Sequence, residues 1–131
     1  MSKYNNKKTR VHGMDFDSAK EAQRYQELWL RGKCGEISDL RTQVKYELIP
    51  AIYEYVDSGE VYLIGTRKGM PKKKKVCVQQ AVHYIADFVY IENGKEVVED
   101  VKGYKEGGAY AVFTIKRKLM KHVHGITVRE V

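Results

Sequence analysis

Cysteine, proline and tryptophan are scarce in this 131-residue sequence, with two, two and one of each. Cys34 and Cys77 stand at neither metal-ligand nor redox spacing, which excludes a zinc site or dithiol centre and fits a reducing cytosol. No apolar run approaches the roughly 18 residues of a membrane-spanning helix, and no stretch reads as a signal peptide. No internal repeat is visible. GTRKGMPK lacks the glycine spacing and the Lys-Ser/Thr ending of a P-loop, so that phosphate site is excluded. Acidic residues are absent between Ala109 and Arg129. What is abundant is base. Lys and Arg number 24 against 17 Asp and Glu, a net charge of +7, and the pI is about 9.3. That balance points to a polyanionic partner and says nothing of fold. Hydrophobic residues make up 43%, so the chain suits one globular domain with a real core. Ten tyrosines serve packing at half-wet surfaces or stacking on bases.

Along the chain, residues 1–13 form a polar arm with Lys3, Lys7, Lys8 and Arg10, either solvated or laid along phosphates. Asp17 to Arg31 reads as a helix. Ser18-Ala19-Lys20-Glu21 has capping-box spacing, and Ala22, Tyr25, Leu28 and Trp29 make its apolar stripe. Ile37 to Leu40 reads as a connector and Gln43 to Ile49 as the first core strand. Two short strands, Ile52 to Tyr55 and Val61 to Ile64, are expected around a turn at Asp57-Ser58-Gly59. Arg67 to Lys75 reads as a basic loop, so Lys72, Lys73, Lys74 and Lys75 are either solvated or set against phosphates. Val76 to Ile91 is expected as one long strand with a bulge near Gln79-Gln80. Tyr110 to Val123 reads as a second helix with apolar face Val112, Ile115, Leu119 and Val123. Its remaining surface is uniformly basic and includes Lys116 and Arg117. His122, His124 and Gly125 suit a helix C-terminus. Ile126 to Val131 reads as a last strand.

The most informative stretch is Tyr84 to Lys102, YIADFVYIENGKEVVEDVK. Asn93-Gly94 suits a type I′ turn, whose two central residues need positive φ. That turn sets Glu92 opposite Lys95, Ile91 opposite Glu96, Val89 opposite Val98 and Asp87 opposite Asp100. Alternation puts Lys102 on the same face as Asp100. Opposed side chains stand about 4.5–5.5 Å apart at Cβ, and like charges there are destabilising. A divalent cation would relieve that repulsion.

An Asp on one strand followed by Asp-x-Lys on the next resembles the PD-(D/E)XK nuclease superfamily, with Asp87, Asp100 and Lys102 as the matching residues. Ala86 stands where the motif's proline would be. The strings KYNNKKT, FDSAKEAQRYQEL, GEISDL, YIADF, VVEDVKG and IKRKL resemble a small phage and prophage family placed in that superfamily. The resemblance implies a single nuclease-like α/β domain over residues 1–131. Its restriction-endonuclease-like core would be a central mixed β-sheet flanked by helices, in the order αβββαβ, with a hairpin inserted at about 52–79. It implies a metal-dependent DNA endonuclease, a phosphodiester hydrolase working in phage recombination or replication, on duplex or branched DNA such as Holliday junctions. The host cytoplasm would be its compartment and a homodimer a possible assembly. Mg²⁺ or Mn²⁺ would be held by Asp87, Asp100, the Val101 carbonyl and Glu21, all hard oxygen donors. Glu21 could equally be only a helix cap. Lys102 would act as base, or orient water and stabilise charge. A lysine is a strong base only when its pKa is pulled down, which neighbouring carboxylates oppose, so the second role is favoured. Lys7, Lys8, Arg10, Lys72 to Lys75, Lys116 and Arg117 are the expected DNA contacts. The loop Gly103 to Gly108 either closes over substrate or merely connects. The alternative function is a non-catalytic nucleic-acid-binding protein with a nuclease fold.

Overall fold

The computed structural model describes residues 8–103 and 105–131. Lys7 lies outside the described residues. The described residues open with β1 (Thr9–Val11) and β2 (Met14–Phe16), an antiparallel pair joined by His12-Gly13, both at positive φ (49° and 80°). Helix α1 (Ala19–Lys33) follows, then β3 (Ser38–Ile49), β4 (Ile52–Val61), β5 (Pro71–Gln79), β6 (Val82–Glu92), β7 (Lys95–Asp100), α2 (Gly107–His124) and β8 (Arg129–Glu130). The result is an α/β protein with a four-stranded sheet in the order β3-β6-β7-β8. The sheet is mixed: β6 and β7 are antiparallel, β7 and β8 parallel. No helix among the described residues is long and apolar enough to cross a membrane. The chain up to Tyr46 together with Tyr84–Val131 makes one compact unit, and Glu47–His83 makes another.

Local chemistry fixes each boundary that matters. Ser18 stands before α1 in extended conformation, and its Oγ accepts a hydrogen bond from the Glu21 N–H at 3.1 Å, satisfying one orphan donor of the first turn. Gly125 ends α2 in the left-handed region at φ 70°, donating to the Lys121 carbonyl. Asn93 and Gly94 take φ of 53° and 76°, and the β6–β7 ladder pairs Glu92 with Lys95, Ile91 with Glu96 and Val89 with Val98.

Alternation then sorts the two faces of this hairpin. Phe88, Tyr90 and Glu99 share one face, where α1 brings Tyr25 to Phe88 (ring centroids 6.1 Å) and Arg24 to Glu99. Asp87, Asp100 and Lys102 belong to the other, where Phe113 of α2 lies under the Lys102 ammonium. The two helices therefore cover opposite faces of the sheet. The core on the α1 side gathers Phe16, Ala22, Tyr25, Leu28, Ile37, Phe88, Tyr90 and Val101.

Five sequence expectations are corrected. Asp57-Ser58-Gly59 does not reverse the chain: the Asp57 Oδ1 accepts from Gly59 N–H, Gly59 adopts φ 79°, and the register of β4 shifts there as a bulge. The reversal lies at Tyr62–Met70, so Lys72, Lys73, Lys74 and Lys75 sit on strand β5, not in a loop. The expected long strand from Val76 breaks at Gln80-Ala81 into β5 and β6. On α2, Val112, Ile115 and Val123 are exposed, at 53%, 59% and 46%, while Phe113 and Met120 are buried. Those two are seven positions apart, and the larger aromatic takes the inward position beside Tyr84, with ring centroids 6.3 Å apart. Finally, the strand expected from Gln43 begins at Ser38 and takes in the supposed connector.

Glu99 is fully buried. Arg24 donates to both of its oxygens, at 2.8 and 2.6 Å, and the Tyr90 hydroxyl donates to one of them. Removing one partner of a buried pair strands the other charge and typically costs about 3–5 kcal/mol. Arg24→Met is expected to lower stability in urea unfolding at pH 7 by about 3 kcal/mol, the low end of that range because the arginine is partly exposed. Arg24→Met with Glu99→Met should recover most of the loss. Equal stability of Arg24→Met and wild type would remove the pair from the account.

Candidate active site

The ladder ends at Phe88 opposite Glu99, so Asp87 and Asp100 lie just past its last pair. There the next backbone donor, Val101 N–H, bonds the Asp87 Oδ2 at 2.8 Å. Gln43 Nε2 reaches the Asp87 Oδ1 at 3.5 Å, from a residue held at φ 52°. Asp100 is buried at 4% exposure. Its Oδ2 accepts from the Tyr84 hydroxyl at 2.6 Å, and Lys102 Nζ stands 2.7 Å from its Oδ1. That approach is an ion contact without hydrogen-bond geometry, so Oδ1 is the one buried side-chain polar atom among the described residues left without a hydrogen bond. Lys102 Nζ also lies 4.0 Å from the centre of the Phe113 ring.

The backbone of the Asp-x-Lys segment is held from two sides. Val131 N–H donates to the Asp100 carbonyl at 2.9 Å, and Lys102 N–H donates to the Val131 carbonyl at 3.1 Å, extending the parallel ladder of β8. From α1, Lys20 Nζ donates to the Lys102 carbonyl at 2.5 Å.

The electrostatics bind α1 to this cluster. The Glu21 carboxyl is pushed up to about 7, first by burial, then by the negative charges of Asp87, Asp17 and Asp100, with Lys102 opposing. Asp87 is pushed up to about 6, chiefly by burial and with Asp100 adding to it, against the Val101 hydrogen bond, Lys102 and Gln43. Burial and the bond to Asp100 raise the Tyr84 phenol, keeping it a donor. Beside Glu21 opens a recess of about 220 Å³ lined by Met14, Asp15, Phe16, Asp17, Thr42 and Gln43. Among the described residues, no three His, Cys, Asp or Glu side chains are gathered closely enough to make a formed metal cage. The carboxylates lie within electrostatic reach of one another, with Asp87 turned to Val101 N–H and Asp100 to the Tyr84 hydroxyl.

The expected DNA contacts are scattered. Lys8 is exposed, and Arg10 makes an exposed ion pair with Asp15 at 3.5 Å, worth little. Lys116 is half-buried on α2. Arg117 is engaged by Glu130 at 2.6 Å, which also accepts from Tyr110, so this arginine is tied to β8 before any phosphate. Tyr84, Gln43, Lys20 and Phe113 were not anticipated as site residues. Strict alternation sets positions 84 and 87 on opposite faces, so no period-two rule selects Tyr84. Phe113 carried a signal, as the one large aromatic in the middle of α2.

A family model described as a protein of unknown function (DUF1064) matches residues 1–127. No curated protein and no solved structure matches the chain.

The two raised carboxyls make a pH prediction. Glu21 and Asp87 bind protons more tightly folded than unfolded, so between the usual carboxylate range and pH 6 to 7 the folded state holds more protons. Stability then falls as pH rises through that window, and the penalty is complete above it. In chelator, the wild type is expected to unfold at lower urea at pH 8 than at pH 5. Glu21→Gln and Asp87→Asn should each flatten the difference. Parallel pH profiles for wild type and both variants would show that these groups titrate normally.

Proposed function

The chain belongs to the DUF1064 family of proteins of unknown function, and we propose that it is a divalent-metal-dependent DNA endonuclease of the PD-(D/E)XK type. One observation carries the reading: a buried Asp100 whose Oδ1 is met only by the Lys102 ammonium, with Asp87 on the same hairpin and the raised Glu21 carboxyl of α1 within electrostatic reach. A polar atom left so, among three acidic groups, fits a ligand oxygen better than a structural one. The succession α1, β3, β6, β7, α2, β8, with helices on opposite faces, supports reading the sheet as a restriction-endonuclease-like core.

The donor set suits Mg²⁺ or Mn²⁺, with Asp87 and Asp100 as the primary holders and Glu21 and the Val101 carbonyl as further donors. A bound cation would supply Lewis acidity toward the scissile phosphate and toward a water. This chain's own groups do the positioning. Val101 N–H and Tyr84 aim the two aspartates, and Lys102, braced on Phe113, presents a cation where charge develops on the phosphate. In the reaction, a water oxygen bonds to phosphorus while the bond from phosphorus to the leaving oxygen breaks. The water's proton passes to solvent, and the leaving oxygen takes a proton from water. Branched DNA in phage recombination or replication is the substrate class suggested by the resemblance, with a homodimer as the matching assembly.

A second reading has an observation of its own. No formed cage of three acidic or histidine ligands exists among the described residues, and a lysine already neutralises Asp100. That favours a protein that binds nucleic acid without cutting it. Plasmid and four-way-junction DNA incubated with Mg²⁺, Mn²⁺ or chelator separates the two. The expected result is metal-dependent cutting by wild type. Asp87→Ala, Asp100→Ala and Lys102→Ala should each lose at least a hundredfold in rate, an order typical of losing one transition-state electrostatic contact, with DNA affinity nearly unchanged. Binding without cutting in any metal would establish the second reading.

A further inference from the structure

The unit Glu47–His83 contains a two-stranded ribbon with no core of its own. None of residues 50–80 is buried, and an isolated ribbon of this kind is marginally stable in water. Its end is nevertheless well formed. Tyr62 N–H donates to the Met70 carbonyl at 3.0 Å and Gly69 N–H to the Tyr62 carbonyl at 2.8 Å. Within them, Met70 N–H bonds the Arg67 carbonyl at 2.9 Å and Lys68 N–H bonds that of Gly65 at 3.2 Å. On this ordered tip stand three apolar side chains with almost no cover: Leu63 at 75% exposure, Ile64 at 84% and Met70 at 55%. Arg67 and Lys68 lie between them in sequence, and from Val61 to Val76 the chain has six basic residues and no acidic one.

The lysines are distributed in a telling way. Lys73 and Lys75 pair across the ribbon with Asp57 and Tyr55, while Lys74 pairs with Val56. Alternation therefore puts Lys73 and Lys75 on one face and Lys72 and Lys74 on the other. Lys75 is 4.3 Å from the centre of the Tyr53 ring, and Lys72 is 5.4 Å from that of Tyr62, so aromatic faces hold the ammonium groups along the strands. Positive charge on both faces suits a ribbon lying in a duplex groove, where a phosphate wall stands on either side. A membrane surface would meet charge at one depth only. Exposed Leu, Ile and Met at the end of such an element have the chemistry of a wedge between base steps.

We propose that the β4–β5 ribbon is a DNA-binding arm whose lysines follow the phosphates of a duplex groove and whose Leu63, Ile64 and Met70 tip inserts at a base step and unstacks it. The proposal rests on the DNA-binding part of the reading above and not on cleavage. It gives a physical basis for preferring DNA that is already bent, branched or weakly stacked, because unstacking such steps is cheaper.

The test uses the full chain in chelator and a duplex carrying 2-aminopurine at a central TA step, whose fluorescence rises on unstacking. Wild type is expected to raise the signal. Leu63→Ser, Ile64→Ser and Met70→Ser combined, all on exposed positions, should bind roughly tenfold more weakly, without the rise, and with the same slope of log affinity against log salt. Lys72, Lys73, Lys74 and Lys75 changed together to Gln should lower that slope by up to about 3.6, near 0.9 for each phosphate contact. No rise with wild type, or an equal rise with the tip variant, overturns the proposal. So does binding of the tip to phosphatidylserine vesicles, or its self-association in sedimentation, in place of DNA. The unstacking signal without any metal-dependent cutting would leave the arm standing and remove the nuclease reading. Cutting with no dependence on the tip would do the reverse.

Discussion

Like charges close together repel, and the hairpin closed by Asn93-Gly94 brings Asp87 and Asp100 within electrostatic reach of each other. Everything near the pair answers that constraint. Val101 N–H and Gln43 bond Asp87, Tyr84 and Lys102 meet Asp100, and burial, with the remaining repulsion behind it, raises the carboxyls of Glu21 and Asp87. A fold under no functional demand would replace one aspartate by an apolar residue and drop the whole apparatus, since well-packed apolar groups often match or exceed buried ion pairs in stability.

The same hairpin shows what a purely structural buried charge looks like. Glu99, one residue from Asp100, faces the opposite way and is bonded by Arg24 and Tyr90, with Arg129 Nη1 at 3.9 Å. Asp100 has a single hydrogen bond, from Tyr84 to Oδ2, and its Oδ1 is met by the Lys102 ammonium alone. Two carboxylates adjacent in sequence thus differ in how completely the protein satisfies them. The incompletely satisfied one stands on the face with the second aspartate and the lysine.

Much of this was legible beforehand where the chemistry is local. The Asn-Gly turn fixed the hairpin register to the residue, and Ser18 was recognisable as a cap because its hydroxyl serves an N–H three positions on. The two helices follow from periodicity, and the α/β class from the resemblance. Long-range chemistry was not legible. Nothing in the spacing of Tyr84, Gln43 or Lys20 says which residue each will reach. Hydrophobic spacing alone chose Val112, Ile115 and Val123 for the inner face of α2, where an aromatic contact to Tyr84 turns the helix to bury Phe113. The turn chemistry of Asp57-Ser58-Gly59 serves a bulge, so the reversal comes later and the lysine run falls on a strand.

Calorimetric titration of the full chain with Mn²⁺ at pH 7.5, in the absence of DNA, tests the central claim most directly, because it reads the carboxylates without requiring the right substrate. The account predicts saturable binding to wild type that is lost in both Asp87→Asn and Asp100→Asn and kept in the surface control Asp57→Asn. No saturable binding, or equal binding by the wild type and both site variants, would contradict it.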